Sequence, residues 1–471
     1  MHKDAPRKTL ASQSVSELDT VTSGFPRRRT FLGALTAASY QRVIGANERL
    51  QVGCIGCGII AGHHLTHLKS MADVDLVAMC DAYLPRAEKY VVDFNPGAKA
   101  HQDFRCVLEH KDIQAVFICT PPHWHALMTI MACAAGKDVY VEKPMTVFVR
   151  EGRWVMEAVR RYQRIVQVGT QQRSLPHYQK AATELLRGYL GKIASIRSGS
   201  VRNIVPGWGK PRDTPPPPGL DWELFLGPAP RHPHNANRGM NNFRLQTARW
   251  YCDTDGGQQT NMGVHEMDII LWALQVKGPT AVVSFGGRRV LDDNCEVPDT
   301  QDSLFDFPGG TTAVFSYREA SVGGQPIPVL WIFGTKGGMN LSRAGFEIYP
   351  DYRNPEGELP GSTPRAKLEP WIEALKARPA SSVYGGMDLH ERNFLDCVKS
   401  RKQPNATVVN GHQAATACHL ANLSLRLGGR TLRWDAERED FVGDREASAM
   451  LVRPYSSPWD KELRSLNLGL E

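Results

Sequence analysis

The residues best suited to proton transfer lie in two segments far apart in the chain. One is Glu142-Lys143-Pro144, which follows a short apolar run, and the other holds Asn261, His265 and Asp268. Helical spacing places these last three side chains on one helix face. His265 is a suitable base because its unperturbed pKa is near neutrality. Lys143 can hold a substrate oxygen, stabilise an alkoxide or share the proton transfer.

Two other interpretations of His265 stay open. His265 and Asp268 are three residues apart, a spacing that permits metal binding, but no third ligand is obvious, so no metal site is predicted. His265 could also simply cap or pack a helix.

A glycine-rich turn follows the apolar residues 50–55. It reads Gly56-Cys57-Gly58-Ile59-Ile60-Ala61, the G-x-G-x-x-A form of a dinucleotide-binding turn. Gly56 permits the tight turn, and Gly58 lets the backbone approach a pyrophosphate. The helix that starts there presents free N–H groups to the phosphates. The sequence therefore predicts that the first domain binds a dinucleotide.

The identity of the dinucleotide is predicted from Asp81. This acid ends a second apolar strand, 25 residues after Gly56. A carboxylate there accepts hydrogen bonds from both ribose hydroxyls and repels a 2′-phosphate. We therefore expect NAD, with NADP less favoured.

Two further apolar runs, 115–119 and 138–141, end in Thr120-Pro121-Pro122-His123-Trp124-His125 and in Glu142-Lys143-Pro144. Apolar runs that alternate with helical stretches indicate a parallel, doubly wound sheet, whose strand ends meet at one edge. The residues predicted to contact the cofactor are Gly56, Gly58, Ile59, Ile60, Asp81, Thr120, Pro121, His125, Glu142, Lys143 and Gln171.

Together these motifs resemble the glucose–fructose oxidoreductase / inositol dehydrogenase / MocA (Gfo/Idh/MocA) family, over residues 48–435. The resemblance implies that the Lys of E-K-P and an Asp-x-x-x-His pair lie at the substrate. Lys143 and His265 match, but Asn261 occupies the Asp position. An amide can hold a hydroxyl but cannot carry a proton, so we expect His265 and Asp268 to take more of the proton transfer.

After residue 173 the pattern changes to strand-like runs with hairpin punctuation: 193–201, 280–290, 301–307, 311–318, 328–334 and 345–349. The predicted fold is α/β, an N-terminal Rossmann-like NAD(P)-binding domain plus a C-terminal α/β domain with a large, mostly antiparallel open sheet. The predicted divisions are 1–47 (signal and linker), 48–170 (dinucleotide-binding domain), 171–435 (substrate-binding and oligomerisation domain) and 436–471 (extended tail).

Three segments of the second half carry no assigned chemistry. Residues 205–250 form a long loop whose tryptophans, Trp208, Trp222 and Trp250, either stack on sugar rings or anchor packing. Amphipathic helices beginning near His390 and Gly411 are expected to pack back on the first domain or close the cleft. The tail is expected to embrace a partner subunit.

The chain has 471 residues, a net charge of +7 and 42% hydrophobic residues, which excludes a disordered chain and predicts two domains. Residues 1–49 carry eight basic and four acidic residues, hence +4 of the +7. No basic cluster is visible elsewhere, so nucleic-acid binding is not expected. The ten scattered cysteines, with Cys54-x-x-Cys57 among them, are predicted to be buried free thiols.

The basic segment has a defined order. Arg28-Arg29-Thr30-Phe31-Leu32 precedes the weakly apolar run 33–39 and resembles a twin-arginine (Tat) export signal; a basic disordered arm is the alternative. The run is too short to span a bilayer, which needs about 20 apolar residues. We expect export, for instance to the periplasm, after folding in the cytoplasm, without stable membrane insertion.

These features predict an NAD-dependent oxidoreductase that acts on a sugar, polyol or glycoside hydroxyl, with a tightly bound and internally recycled cofactor. One alternative is an NAD-dependent glycosidase that works by transient 3-keto oxidation and elimination. Another is a nucleotide-sensing binding protein. By resemblance, the substrate is a small carbohydrate and the protein a homo-oligomer, either dimer or tetramer.

Overall fold

The computed structural model describes residues 49–239, 247–323, 330–379 and 386–469. All of them belong to one compact unit, Gly45–Glu471. The predicted export signal around Arg28-Arg29 lies outside the described residues.

The first sheet has six parallel strands. They are β1 (Leu50–Ile55), β2 (Val74–Cys80), β3 (Lys99–His101), β4 (Ala115–Ile118), β5 (Asp138–Val141) and β6 (Val166–Val168), in the order β3-β2-β1-β4-β5-β6. β4 and β5 are buried throughout. Such strands need apolar residues on both faces because helices cover both. The order places the end of β1 beside those of β2 and β4.

Helices α1 (Ile59–Lys69), α2 (Leu84–Phe94), α3 (Phe104–Glu109), α4 (His125–Ala134) and α5 (Val149–Tyr162) connect or flank these strands. α1 begins directly after the glycine turn, and α4 begins directly after the segment that follows β4. The predicted doubly wound dinucleotide fold is therefore confirmed.

The second sheet has ten strands. They are β7 (Ile193–Val201), β8 (Ala281–Gly287), β9 (Thr300–Phe307), β10 (Thr311–Arg318), β11 (Leu330–Gly334), β12 (Gly337–Ser342), β13 (Gly345–Pro350), β14 (Leu375–Ala377), β15 (Leu432–Asp435) and β16 (Asp440–Phe441). Their order is β14-β13-β12-β11-β7-β10-β9-β8-β15-β16, and every pair is antiparallel except β7–β10.

One face of this sheet is covered and the other is open. In β9 the side chains of Phe305 and Phe307 are buried, whereas those of Asp302 and Asp306 are exposed. This alternation follows from the two-residue period of a strand. The predicted open, mostly antiparallel sheet is confirmed.

The helices of the second half are α6 (Pro176–Leu186), α7 (Trp222–Leu226), α8 (Gly257–Asn261), α9 (Gly263–Leu274), α10 (Met387–Ser400), α11 (Val408–Arg426), α12 (Arg445–Ala449) and α13 (Trp459–Ser465). α9 and α11 contribute Ile270 and Leu420 to the core under the large sheet. α10 contributes Phe394 to the core of the first domain. The prediction that this helix packs back on the first domain is confirmed.

The last segment differs from the extended tail that the sequence predicts. Tyr455, Trp459 and Leu463 are buried in a core cluster of the first domain, and Tyr455 Oη donates a hydrogen bond to Glu151 Oε1 at 2.7 Å. The tail folds back because its aromatic side chains bury apolar surface there. Among the described residues, no helix is long and apolar enough to cross a bilayer.

Candidate active site

A cavity of about 470 Å³ opens at the carboxyl ends of β1, β2, β4 and β5. Ten of the eleven residues predicted to contact the cofactor line it: Gly56, Gly58, Ile59, Ile60, Asp81, Thr120, Pro121, His125, Glu142 and Lys143. Gln171 is buried in a short 3₁₀ segment and does not line the cavity. Residues after 200 also line the cavity, among them Arg202, Trp208, Arg249, Trp250, Asp255 and Asn261.

The two glycines of the turn do different work. Gly56 has φ +90°, and a Cβ there would lie 2.6 Å from the backbone N of Thr120. Gly58 begins α1, and a Cβ there would meet no atom within 4 Å. Gly56 is thus required by the fold itself, whereas the space beside Gly58 is open toward the cavity.

This open space is the feature that tests the fit of a dinucleotide. A pyrophosphate needs close backbone approach and free N–H groups at a helix amino terminus. Gly58, Ile59 and Ile60 line the cavity at the first turn of α1, which has no side-chain cap and no acidic residue. The residues present therefore fit a dinucleotide pyrophosphate.

Asp81 is held at the expected ribose position. Its Oδ2 accepts a hydrogen bond from Cys57 N at 2.8 Å, and its Oδ1 accepts one from Tyr83 N at 2.9 Å. Arg86 Nη1 lies 3.4 Å from Oδ2. The carboxylate is thus fixed beside the glycine turn, with a guanidinium next to it that the sequence analysis did not consider.

His125 ties two of the cavity loops together. Its Nδ1 lies 2.6 Å from Pro144 O, and its Nε2 lies 2.8 Å from Thr120 O. Burial lowers the pKa of His125. Its role is to hold the segments after β4 and β5 in register.

Lys143 faces residues from the second half of the chain. Its Nζ donates hydrogen bonds to Asn261 O at 3.0 Å and to Asn261 Oδ1 at 2.8 Å. Asn261 Nδ2 in turn donates to Gln258 Oε1 at 3.1 Å, and Gln258 Nε2 donates to Glu319 Oε1 at 2.8 Å. Both polar ends of the Asn261 amide are engaged, and this chain of partners sets its orientation.

The electrostatic surroundings of Lys143 favour its neutral form. Burial lowers the pKa of Lys143 to about 8; the charges of Arg249 and Arg343 act in the same direction, and those of Glu142 and Asp255 oppose them. No carboxylate forms an ion pair with this ammonium among the described residues. A lysine with a pKa near 8 can exchange protons at neutral pH.

Glu142 is anchored from behind by a buried histidine. His64 Nε2 lies 3.0 Å from Glu142 Oε1, and His64 Nδ1 lies 2.6 Å from Glu391 Oε1 on α10. Burial opposes the charge on His64, but its hydrogen bonds to Glu142 and Glu391 raise its pKa to about 9. The imidazolium thus holds Glu142 ionised at the cavity wall.

Two predicted catalytic residues do not line the cavity. Asp268 is buried, and both of its carboxylate oxygens accept hydrogen bonds from Arg173 Nε at 2.8 Å. His265 is also buried, and its Nδ1 has no hydrogen-bond partner among the described residues. Burial and the charges of Lys143 and Arg343 lower the pKa of His265 well below its usual value.

The helix predicted to carry Asn261, His265 and Asp268 is divided at Met262, since α8 ends at Asn261 and α9 begins at Gly263. Of these three side chains, Asn261 lines the cavity and the other two do not. Asp268, which the sequence assigns to proton transfer, is instead committed to a buried ion pair. The lowered pKa keeps His265 neutral at physiological pH and makes it a weak base, and its catalytic role stays a prediction.

The remaining expectations concern tryptophans, thiols and metals. Trp208 and Trp250 line the cavity, whereas Trp222 stacks on Phe225 at 5.0 Å and is a packing anchor.

All ten cysteines are free, and eight are buried; Cys106 is exposed and Cys252 is half-buried. No group of three or more potential metal ligands occurs in the part of the chain that the structure describes.

Sequence reasoning missed Asp255, Arg202 and Arg249 as cavity residues. Asp255 directly precedes the Gly256-Gly257 turn, and this acid before a glycine pair was the available signal. Arg202 stacks on Trp250 at 4.6 Å and donates from Nε to Glu319 Oε1 at 2.6 Å.

Comparison with family models identifies three matching segments. Residues 50–170 match "Oxidoreductase family, NAD-binding Rossmann fold", residues 231–340 match "GFO/IDH/MocA C-terminal domain", and residues 380–461 match "Oxidoreductase family, C-terminal alpha/beta domain". The three segments together span roughly two thirds of the chain.

Curated relatives are similar at lower coverage. The uncharacterized oxidoreductase YrbE of Bacillus subtilis is 26% identical over 298 residues, which are 62% of this chain and 73% of YrbE. Inositol 2-dehydrogenase 4 of Saccharopolyspora erythraea is 33% identical over 149 residues, 31% of this chain and 44% of that protein. The chain thus aligns with less than half of the inositol dehydrogenase.

A solved structure shares the fold. Levoglucosan dehydrogenase, in complex with NADH and levoglucosan, superposes with a TM-score of 0.60 at 18% identity, covering 84% of this chain and 99% of that one.

Proposed function

Because the chain belongs to the Gfo/Idh/MocA family of oxidoreductases, with an NAD-binding Rossmann domain, we propose that it oxidises a secondary hydroxyl of a polyol or glycoside with NAD⁺. The observation that carries this proposal is the position of Lys143. Its ammonium, with a pKa of about 8, lines the same cavity as the glycine turn and Asp81.

Oxidation of an alcohol requires hydride transfer from carbon and removal of the hydroxyl proton. When bound, the oxidised dinucleotide supplies the hydride acceptor. The neutral amine of Lys143 accepts the hydroxyl proton, and the electron pair of the broken O–H bond forms the carbonyl. Asn261 O and Oδ1 then hold the ammonium through the two hydrogen bonds already present. Asn261 is thus a positioning residue, and no proton passes through it.

The cofactor preference follows from Asp81. Its carboxylate accepts hydrogen bonds from the ribose hydroxyls and repels a 2′-phosphate. Arg86, 3.4 Å from Oδ2, partly offsets that repulsion. We therefore propose that the protein prefers NAD and disfavours NADP without fully rejecting it.

The substrate class rests on the cavity and on the relatives. The names inositol 2-dehydrogenase and levoglucosan dehydrogenase both describe enzymes for cyclic polyhydroxy substrates. Trp208, Trp250 and Asp255 add flat apolar surface and a polar acceptor to the lining of the cavity. This combination suits a sugar ring.

Export and cofactor retention form a linked part of the proposal. The Arg28-Arg29 segment supports export of the folded protein. Free NAD is not expected outside the cytoplasm, so the exported protein carries its dinucleotide and regenerates it within the site.

The test uses the purified protein. Denaturation should release nicotinamide dinucleotide in stoichiometric amount, and incubation with myo-inositol or methyl glucosides should change the absorbance at 340 nm. Lys143→Ala should abolish that change, whereas Lys89→Ala, on the exposed surface of α2, should not. Absence of any redox change with the whole panel would contradict the proposal, and nitrophenol release from a nitrophenyl glycoside without added NAD would replace it with the glycosidase.

A further inference from the structure

Asp255 is a buried residue whose carboxylate lines the cavity. It is 6% exposed and lies two residues before the start of α8 at Gly257. Its Oδ1 accepts hydrogen bonds from Gly256 N and from Thr260 Oγ1, both at 2.7 Å. These two donors fix the plane of the carboxyl group.

The second carboxylate oxygen of Asp255, Oδ2, has different surroundings. No described residue donates a hydrogen bond to Asp255 Oδ2, although Asp255 lines the cavity. Burial raises the pKa of Asp255, and the positive charges of Arg249 and Lys143 oppose that shift. Oδ2 is accessible from the cavity rather than buried, so a ligand hydroxyl that enters the cavity can donate a hydrogen bond to it.

Asp255 and Lys143 are connected through the end of α8. Thr260, which donates to Asp255, is followed directly by Asn261, which accepts from Lys143. No ion pair joins Lys143 to Asp255 among the described residues. Both side chains line one cavity, and the charge of each influences the pKa of the other.

We infer that Asp255 binds the hydroxyl adjacent to the one that Lys143 deprotonates, so that the substrates are vicinal diols rather than isolated alcohols. The inference rests on the proposed oxidation at Lys143. A hydroxyl donor satisfies Oδ2, whereas a substrate with hydrogen in that place leaves the oxygen unpaired. Sites built to bond a hydroxyl reject the analogue that lacks it much more strongly than apolar pockets reject a size change.

The test measures binding separately from turnover. The full-length protein is loaded with NADH and titrated by calorimetry with methyl β-D-glucopyranoside and with its 2-deoxy and 4-deoxy analogues. The parent should bind at least about tenfold more tightly than one of the deoxy analogues. Asp255→Asn, which keeps an acceptor for Thr260 and turns a donor toward the cavity, should reduce that ratio to below about threefold.

Asp253→Asn is the matched control. Asp253 lies two residues away, accepts from His232 Nε2 at 2.6 Å and does not line the cavity, so its variant should keep the wild-type ratio. Equal affinity of the wild-type protein for all three glucosides, no binding of any of them, or an unchanged ratio in Asp255→Asn would overturn the inference. If Asp255→Asn does not fold, the wild-type ratios decide alone.

A parallel assay keeps the two proposals distinct. NADH formation from methyl β-D-glucopyranoside and NAD⁺ tests the oxidoreductase proposal by itself. If the protein discriminates between the glucosides through Asp255 but forms no NADH, the binding role of Asp255 stands and the proposed oxidation is contradicted.

Discussion

Lys143 Nζ lies 2.8 Å from Asn261 Oδ1 and 3.0 Å from the backbone oxygen of the same residue. The partner of this ammonium is thus a neutral amide whose nitrogen is already committed to Gln258. Because this partner carries no negative charge, it does not counter the effect of burial, which lowers the pKa of Lys143 to about 8. An amine with a pKa in this range can serve as a base.

Asn261→Asp should move the pH dependence of the oxidation upward. Lys143 accepts the proton only when neutral, so kcat/KM should rise with pH through about 8 in the wild-type protein. A carboxylate at this distance favours the ammonium and should raise that midpoint by at least about one pH unit. The measurement is the pH profile of NADH formation. Asn340→Asp, on the half-buried strand β12, should leave the midpoint unchanged; an unchanged midpoint in Asn261→Asp would contradict the account.

Gly56→Ala and Gly58→Ala should separate folding from cofactor binding. A Cβ at Gly56, at φ +90°, meets the Thr120 backbone, so this variant should lose stability, whereas a Cβ at Gly58 meets nothing. Gly58→Ala should keep the wild-type Tm but bind NADH at least about tenfold more weakly, because its methyl group occupies the approach of the pyrophosphate. Thermal unfolding and fluorescence titration with NADH check both. Wild-type NADH affinity in Gly58→Ala would show that the cofactor does not lie there.

Asp81→Asn and Arg86→Gln should shift cofactor choice in opposite directions. Loss of the Asp81 charge removes repulsion of a 2′-phosphate and weakens ribose binding, so the NADP to NAD ratio of kcat/KM should rise about tenfold. Loss of the Arg86 guanidinium should lower that ratio with NAD use little changed. Initial rates with both cofactors measure this NADP to NAD ratio. Equal ratios in the wild-type protein and in both variants would contradict the assignment.

The buried His64 should make stability depend on pH. The pKa of His64 is about 9 in the folded protein and 6.5 in an unperturbed histidine. The stabilisation from its protonation is therefore complete below pH 6.5 and is lost as pH rises through 9. His64→Gln removes the cation between Glu142 and Glu391, although His67 still contacts Glu391, and this loss should cost about 3 kcal/mol at neutral pH. Urea unfolding from pH 6 to 10 should show a flatter profile in this variant, and parallel profiles would refute the assignment.

The features that could be predicted from the sequence are those that depend on local requirements of the chain. The steric need for glycine at position 56 and the open approach at Gly58 are both contained in the motif, and strand β9 follows from the alternation of buried Phe305 and Phe307 with exposed acids. The break at Met262, by contrast, depends on how α8 and α9 pack.

Long-range pairing explains the other differences. The partner of Asp268 is Arg173, 95 residues away, and that of His64 is Glu391, 327 residues away. Residue spacing alone did not indicate either pair. The same holds for Asp255, whose cavity position depends on the approach of two domains.

The central claim, that Lys143 takes the hydroxyl proton, is tested most directly by chemical rescue of Lys143→Ala. The variant should lose about 10³-fold or more of kcat for NADH formation. Added methylamine or ethylamine should restore part of the rate in proportion to amine concentration, with the restored rate rising through the pKa of the free amine. Asp268→Asn, which alters a buried ion pair and not the cavity, should show no response to amine. Undiminished turnover in Lys143→Ala, or a loss that no primary amine relieves at any pH, would contradict the account.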